Sequence, residues 1–149
     1  MWALGPEDRL IEWREFREHL CSLSKEEAVQ ETAIFWSQAP ISNQWLAADL
    51  LADWPDPWEL THNNHYDDIS ITLGMVYTLT LSSDRFNDVF ITVLRDINNT
   101  NVYHTAWFDD GEYILNLEYN EVVNRNDLST DLRVKYKYSY EDLQINKYK

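Results

Sequence analysis

The chain has 149 residues, of which 44% are hydrophobic and 26% charged, and its formal net charge at pH 7 is −14. This size and composition predict one domain, residues 1–149, with a substantial core, and they exclude a disordered chain. The negative charge argues against binding nucleic acid through its phosphates, because that needs clustered Lys and Arg.

Residues 1–56 predict a helical layer. In GPEDRLIEWREFREHLCSL, Pro6 suits the first helical position, and Glu7 and Asp8 suit the positive end of the helix dipole. In SKEEAVQETAIFWSQA, Ser24 and Glu27 form a capping box that begins a second helix. The segment NQWLAADLLADW indicates a third, short helical piece. Apolar spacing predicts the buried face of the first helix: Leu10, Trp13, Phe16 or Arg17, and Leu20.

Cys21 is the only cysteine, so an internal disulfide is excluded. It follows the first helix, where the helix dipole disfavours the thiolate that a nucleophile needs. No apolar run reaches the roughly 18 residues of a membrane span. The first residues carry no basic stretch before an apolar one, so we expect no signal peptide. Folding in the cytoplasm and no membrane partner are therefore predicted.

Residues 57–82 predict a central helix, preceded by a short helical start. Asp56 is a candidate cap, Pro57 a first helical residue, and Glu59 completes a box-like pair. The run HNNH predicts a break, because Asn favours turns. Gly74 in mid-helix predicts close approach of another backbone. The predicted buried face is Ile69, Leu73, Val76 and Tyr77.

The start of this helix carries a group of candidate metal ligands. His62, His65 and Asp67 could ligate zinc or iron, with Asp68 or His104 completing the shell. The favoured interpretation is different. Asp67 or Asp68 caps the helix by accepting backbone N–H bonds, beside partly exposed histidines. We therefore expect no metal and no cofactor.

Residues 83–149 change to a period of two and predict an antiparallel sheet. Four strands are indicated by DVFITVLRDI, NVYHTAWFD, EYILNLE and LRVKYKYSY, joined by turns at NNTN and DDG. Helices first and strands afterwards predict an α+β fold.

The hairpin HTAWFDDGEYILN contains the candidate catalytic pair. A three-residue loop, Asp109–Gly111, would place Phe108 opposite Glu112 and His104 opposite Asn116. A His oriented by an Asn amide is half of a nucleophilic site. A polar pair on a half-exposed sheet face is the alternative.

This hairpin and the preceding helix resemble the core of the transglutaminase-like proteins, within the papain-like cysteine hydrolases. The resemblance implies a transglutaminase-like or papain-like fold. It implies that His104 matches the family His, that Asn116 matches the orienting residue, and that Asp67 or Asp68 stands where the family has its nucleophilic Cys. No Cys is present there, so the thiol chemistry is expected to be lost.

A second resemblance extends over the whole chain. The stretches WALGPEDRLIEWREFRE, WPDPWEL and LGMVYTL resemble small proteins of contractile-tailed bacteriophages. It implies a virion part in the baseplate, neck or tail, with localisation in the virion or the host cytoplasm.

The last strand carries the candidate partner-binding residues. Residues 1–132 have seven basic and 24 acidic side chains, a net −17, whereas residues 133–149 have five basic and two acidic, a net +3. Alternation predicts one aromatic face, Tyr136 and Tyr138, and one basic face, Lys135 and Lys137. This tail could dock onto a neighbour's acidic surface. A solvated edge strand protected by lysines is the alternative.

The leading hypothesis is a structural or assembly protein of a contractile-tailed phage particle, acting through contacts with other subunits or with copies of itself. The residues Asp67, Asp68, His104 and Asn116 would be relics of a lost site that hold helix to sheet. One alternative is a hydrolase or acyl-transfer enzyme that uses His104 and Asn116 with a metal or another nucleophile. Another is an acidic mimic of DNA.

Overall fold

The computed structural model describes residues 1–149 and has the predicted α+β order, four α-helices and then four strands. The helices are α1 (Pro6–Leu20), α2 (Lys25–Ser37), α3 (Pro57–Asn63) and α4 (Asp68–Ser82). The strands are β1 (Val89–Asp96), β2 (Val102–Phe108), β3 (Tyr113–Leu115) and β4 (Leu132–Ser139). They form one antiparallel sheet in the order β3-β2-β1-β4, so β3 and β4 are its edges. None of the helices combines the length and apolarity needed to cross a bilayer.

The predicted helix starts are confirmed. Ser24 accepts a hydrogen bond from the Glu27 N–H at 3.1 Å, and Asp56 accepts one from the Glu59 N–H at 2.8 Å. The predicted break is confirmed as well, because Asn64 adopts a left-handed conformation, with φ of 51°, and ends α3. The predicted third helical piece is reduced to a single 3₁₀ turn, Leu51–Asp53.

Helix α4 is the centre of the fold. Every residue from Ile69 to Thr80 is buried, with α1 and α2 on one side and the sheet on the other. A helix that is apolar all round is stable in water only when it is covered in this way. Its polar anchor to α1 and α2 is Thr78, whose hydroxyl accepts the indole N–H groups of Trp13 and Trp36, each at 2.9 Å. These bonds fix α1 and α2 on α4.

The space at Gly74 is filled by a side chain, whereas the sequence suggested the backbone of another segment. A Cβ at this position would lie 2.3 Å from Cη2 of Trp36. The indole of Trp36 is fully buried, and the outer atoms of its six-membered ring lie against the glycine. The predicted close approach is confirmed, but the approaching group is a side chain and not a second backbone. A glycine leaves space that an aromatic ring can fill as readily as another backbone segment can.

The β2–β3 hairpin has a different register from the predicted one. Phe108 pairs with Tyr113, not with Glu112, so the loop has four residues, Asp109–Glu112. The backbone φ is positive at three successive loop residues, Asp109, Asp110 and Gly111. One additional loop residue displaces all the cross-strand pairs of the hairpin. His104 and Asn116 are therefore not cross-strand partners, and β3 ends before Asn116.

Strand β4 has the predicted aromatic face but not a uniform basic one. Tyr136 and Tyr138 stack with ring centroids 6.3 Å apart. The register against β1 shifts at Lys135, which has no partner residue there. Because a β-bulge reverses the alternation beyond it, Arg133 lies on the face of the tyrosines while Lys137 lies on the other.

We predict that Gly74→Ala destabilises the fold by about 1–3 kcal/mol, because the new methyl group would overlap Trp36. Helix propensity alone predicts the opposite, a gain of about 1 kcal/mol. Urea unfolding measures the difference. Gly5→Ala is the control: no atom lies within 4 Å of its added Cβ, so the expected cost is the smaller one of a weaker helix cap, about 1 kcal/mol or less. A stabilised Gly74→Ala protein would contradict the packing argument.

Candidate functional site

Asp68, His104 and Asn116 meet where the N-terminus of α4 lies against β2 and the end of β3. Oδ2 of Asp68 accepts the ring Nδ1–H of His104 at 2.6 Å and its backbone N–H at 3.3 Å. Oδ1 of Asp68 accepts the side-chain amide of Asn116 at 3.0 Å. Three donors therefore surround one carboxylate at the start of a buried helix.

Asp67, the neighbouring carboxylate, has a separate task. It is the N-cap of α4, accepting the Ser70 N–H at 2.8 Å, and its other oxygen accepts the backbone N–H groups of Trp45 and Leu46 at 2.9 and 2.8 Å. The residue is fully buried. Asp67 therefore ties the loop after α2 to the start of α4. Asp68, not Asp67, is the carboxylate that reaches His104.

Asn116 binds the carboxylate of Asp68 and the backbone of β2. It does not orient the imidazole of His104, which the sequence had suggested. Its amide nitrogen lies 2.9 Å from Oγ1 of Thr72 and 3.0 Å from the carbonyl oxygen of His104, as well as contacting Asp68. The φ of Asn116 is 64°, a left-handed conformation that Asn tolerates better than most residues. This conformation turns the chain at the end of β3 and directs the side chain back toward α4.

Thr72 is a member of this site that sequence reasoning missed. Its hydroxyl donates to the carbonyl oxygen of His104 at 2.6 Å. The usable signal was its spacing, because a residue four positions after Asp68 lies on the same face of a helix. Two residues of α4 thus bind the same point of β2.

A cleft of about 260 Å³ opens beside this network. Asp68 and Asn116 form its polar end, and Ile71 and Met75 of α4 belong to its apolar wall. Two exposed residues stand at its rim, Ile41 at 76% and Tyr119 at 73% exposure. The His104 side chain is only 12% exposed and that of Asp68 is 45% exposed, so solvent reaches the carboxylate first.

The network contains no group able to act as a thiol or hydroxyl nucleophile. The Thr72 hydroxyl is already engaged with the backbone of His104. Cys21 is exposed and its Sγ lies 3.0 Å from the carbonyl oxygen of Ser82, at the C-terminal end of α4. Asp68 begins this 15-residue helix, so about 20 Å separate the thiol from the network.

The candidate metal ligands do not converge. His65 stacks on Trp45, with ring centroids 5.5 Å apart and planes 3° from parallel. His62 lies in another depression, beside the first turn of α1. Asp67 is occupied by backbone N–H groups. No group of three or more His, Cys, Asp or Glu side chains is arranged to hold a metal ion.

Comparison with known proteins gives a match in structure but not in sequence. No family model matches the chain, and no curated protein matches it significantly. Calcium-bound LapG of Legionella pneumophila superposes with a TM-score of 0.74 at 17% identity, covering 91% of this chain and 77% of LapG. EGTA-treated LapG superposes with a TM-score of 0.73 at 15% identity, covering 90% of this chain and 74% of LapG.

This likeness shows the fold. Four helices packed on a four-stranded antiparallel sheet match LapG, and the expectation of a transglutaminase-like fold is confirmed. The likeness to contractile-tailed phage proteins has no support from these comparisons.

We predict that the two adjacent carboxylates differ strongly in their contribution to stability. Asp67→Ala leaves three N–H groups without a partner in a buried site, at about 3 kcal/mol or more in total. Asp68→Ala should cost about 1 kcal/mol, because its side chain is half exposed and water can replace it. Chemical denaturation measures both, with Glu15→Ala on the exposed face of α1 as the control. Equal losses for the two variants would contradict the assigned roles.

Proposed function

We propose that this chain is a non-enzymatic protein that uses a transglutaminase-like fold for structural or assembly contacts with other proteins. One observation carries the proposal. At the helix start where the family has its nucleophile, the residue that faces His104 is Asp68, whose two oxygens accept three hydrogen bonds. The setting proposed for these contacts is a contractile-tailed phage particle, in its baseplate, neck or tail. Only the sequence resemblance favours that setting.

The chemistry of Asp68 supports a structural role. A carboxylate is a poor nucleophile toward amides and needs no base to ionise at neutral pH. Its partners come from β2 and from the turn after β3, so the network joins the central helix to two strands. Hydrogen bonds to a charged group are roughly twice as strong as neutral ones. The former catalytic geometry thus serves to fasten α4 to the sheet.

A hydrolase or acyl-transfer enzyme is the second candidate, and the open cleft beside Asp68 favours it. The cleft offers an apolar wall that ends at Asp68 and Asn116. Asp68 and His104 could share a proton and act as an acid–base pair. This function needs a nucleophile from a substrate or from water, since none of the side chains in the network provides one.

We predict that the wild-type protein hydrolyses activated esters and peptide amides no faster than its His104→Ala variant, because no nucleophile faces the imidazole. Asp68→Cys should restore one and give a burst of acylation with p-nitrophenyl acetate, which His104→Ala in the same chain removes. Release of p-nitrophenol measures both. Cys21→Ser is introduced throughout to silence the exposed thiol. Wild-type turnover that disappears with His104→Ala or Asn116→Ala would establish the enzyme instead.

Calcium gives a further test, since LapG is known in calcium-bound and EGTA-treated forms. Ca²⁺ takes six to eight oxygen ligands, and the acidic side chains of this chain do not converge in such a group. We predict that millimolar CaCl₂ and EGTA leave the thermal midpoint of unfolding equal. A calcium-dependent rise that Asp68→Asn abolishes would assign the ion to this site.

A further inference from the structure

A wide groove lies between α2 and the β3 edge of the sheet. Its volume is about 560 Å³, within the range of ligand-binding sites, roughly 300–1,000 Å³. Apolar groups such as Val29, Tyr113 and Val122 form part of the wall, and no Lys or Arg lines it. Five carboxylates surround the opening: Glu26, Glu27, Glu31, Glu112 and Asp127.

Most of this negative charge has no cation beside it. Glu26, Glu112 and Asp127 form no ion pair, and Glu31 meets only His19, at 2.8 Å. These negative charges also act on Tyr113 in the wall of the groove. Desolvation first, and then the charges of Glu112 and Glu26, raise the pKa of Tyr113 above its ordinary value. The groove therefore presents an uncompensated negative potential around a partly apolar floor.

The β4 edge of the sheet, in contrast, is positively charged. On β4, the side chains of Arg133, Lys135 and Lys137 are exposed, and none of them forms an ion pair. Val134 between them is 56% exposed. The β-bulge at Lys135 sends this lysine away from the regular pleat. About 3.3 Å per residue gives the cationic stretch a length of roughly 13 Å.

The two charged surfaces belong to opposite edges of one sheet, since β3 and β4 are the first and last strands in its order. They cannot meet within one molecule. The β3 edge is also closed to a further strand, because Ile114 and Val123 exchange backbone hydrogen bonds of 2.8 and 2.9 Å along it. Contact at the acidic side must therefore be made by side chains, which suits lysines and an arginine projecting from a strand.

We propose that the chain associates head to tail with copies of itself, the cationic β4 edge of one copy entering the acidic groove between α2 and β3 of the next. This inference rests on the proposed function and names its partner. The contact is heterologous, since two different surfaces meet, so it can repeat from copy to copy. The net charge of −14 opposes association at long range, so the contact is weak and strongest at intermediate ionic strength.

Sedimentation velocity of the full chain tests the inference over about 10 µM to 1 mM protein, a range that brackets weak association. The sedimentation coefficient should rise continuously with concentration, without a limit at the dimer. Lys135→Gln/Lys137→Gln removes charge from the cationic surface, and Glu112→Gln/Asp127→Asn removes charge from the acidic one, without creating opposite charges that could attract each other. Each should weaken association by at least about tenfold.

Mixing the two double variants distinguishes this arrangement from any symmetric one. Each variant retains one intact surface, so the mixture should form a 1:1 complex that cannot grow further. Charge-matched controls on other surfaces, Arg14→Gln/Lys147→Gln and Glu15→Gln/Glu18→Gln, should associate like the wild type. Circular dichroism verifies that each variant is folded.

A wild-type protein that stays monomeric up to the highest concentration would overturn the inference, and so would a mixture that fails to form the complex. Either outcome would leave the lysines of β4 as protection of an edge strand. The non-enzymatic proposal would be untouched, because it is decided by the hydrolysis of esters and amides.

Discussion

The burial of α4 on every side is the constraint from which the rest of the structure follows. A helix without a solvated face must find partners for its polar groups inside the protein, since water cannot provide them. In mid-helix this requirement is met by Thr78, which receives both indole N–H groups of the layer above. Gly74 leaves room for the ring of Trp36 to reach Thr78.

The same constraint explains why two aspartates stand together at the start of α4. The first N–H groups of a buried helix need acceptors, and Asp67 provides one while also collecting two N–H groups from the preceding loop. Asp68 then places its carboxylate charge at the positive end of the helix dipole. Through His104 and Asn116 that charge fastens the helix to the sheet. In the proposed function, this arrangement provides stability and not catalysis.

The charge distribution makes the two edges of the sheet different, one acidic and one basic. Acidic side chains outnumber basic ones over residues 1–132, while β4 carries three exposed cations that form no ion pair. Because the sheet separates these surfaces, attraction between them acts between molecules, whereas the network of Asp68 acts within one. The network that fastens the fold and the surfaces of the proposed association therefore use different residues, so each can be altered alone.

The sequence by itself determined the order of elements, the caps and the class of fold, because these depend on neighbours a few positions apart: Ser24 with Glu27, Asp56 with Glu59, and the change from helical to alternating spacing. It also indicated that His104, Asn116 and an aspartate would share a site. Only the tertiary structure decided that this aspartate is Asp68 and not Asp67. The direction of a side chain at a helix start depends on the loop that packs there. The backbone N–H groups of Trp45 and Leu46, in that loop, bind Asp67 and leave Asp68 to contact His104. The hairpin register was decided by one additional residue in the loop, and the partner of Gly74 by a tryptophan 38 positions distant in sequence.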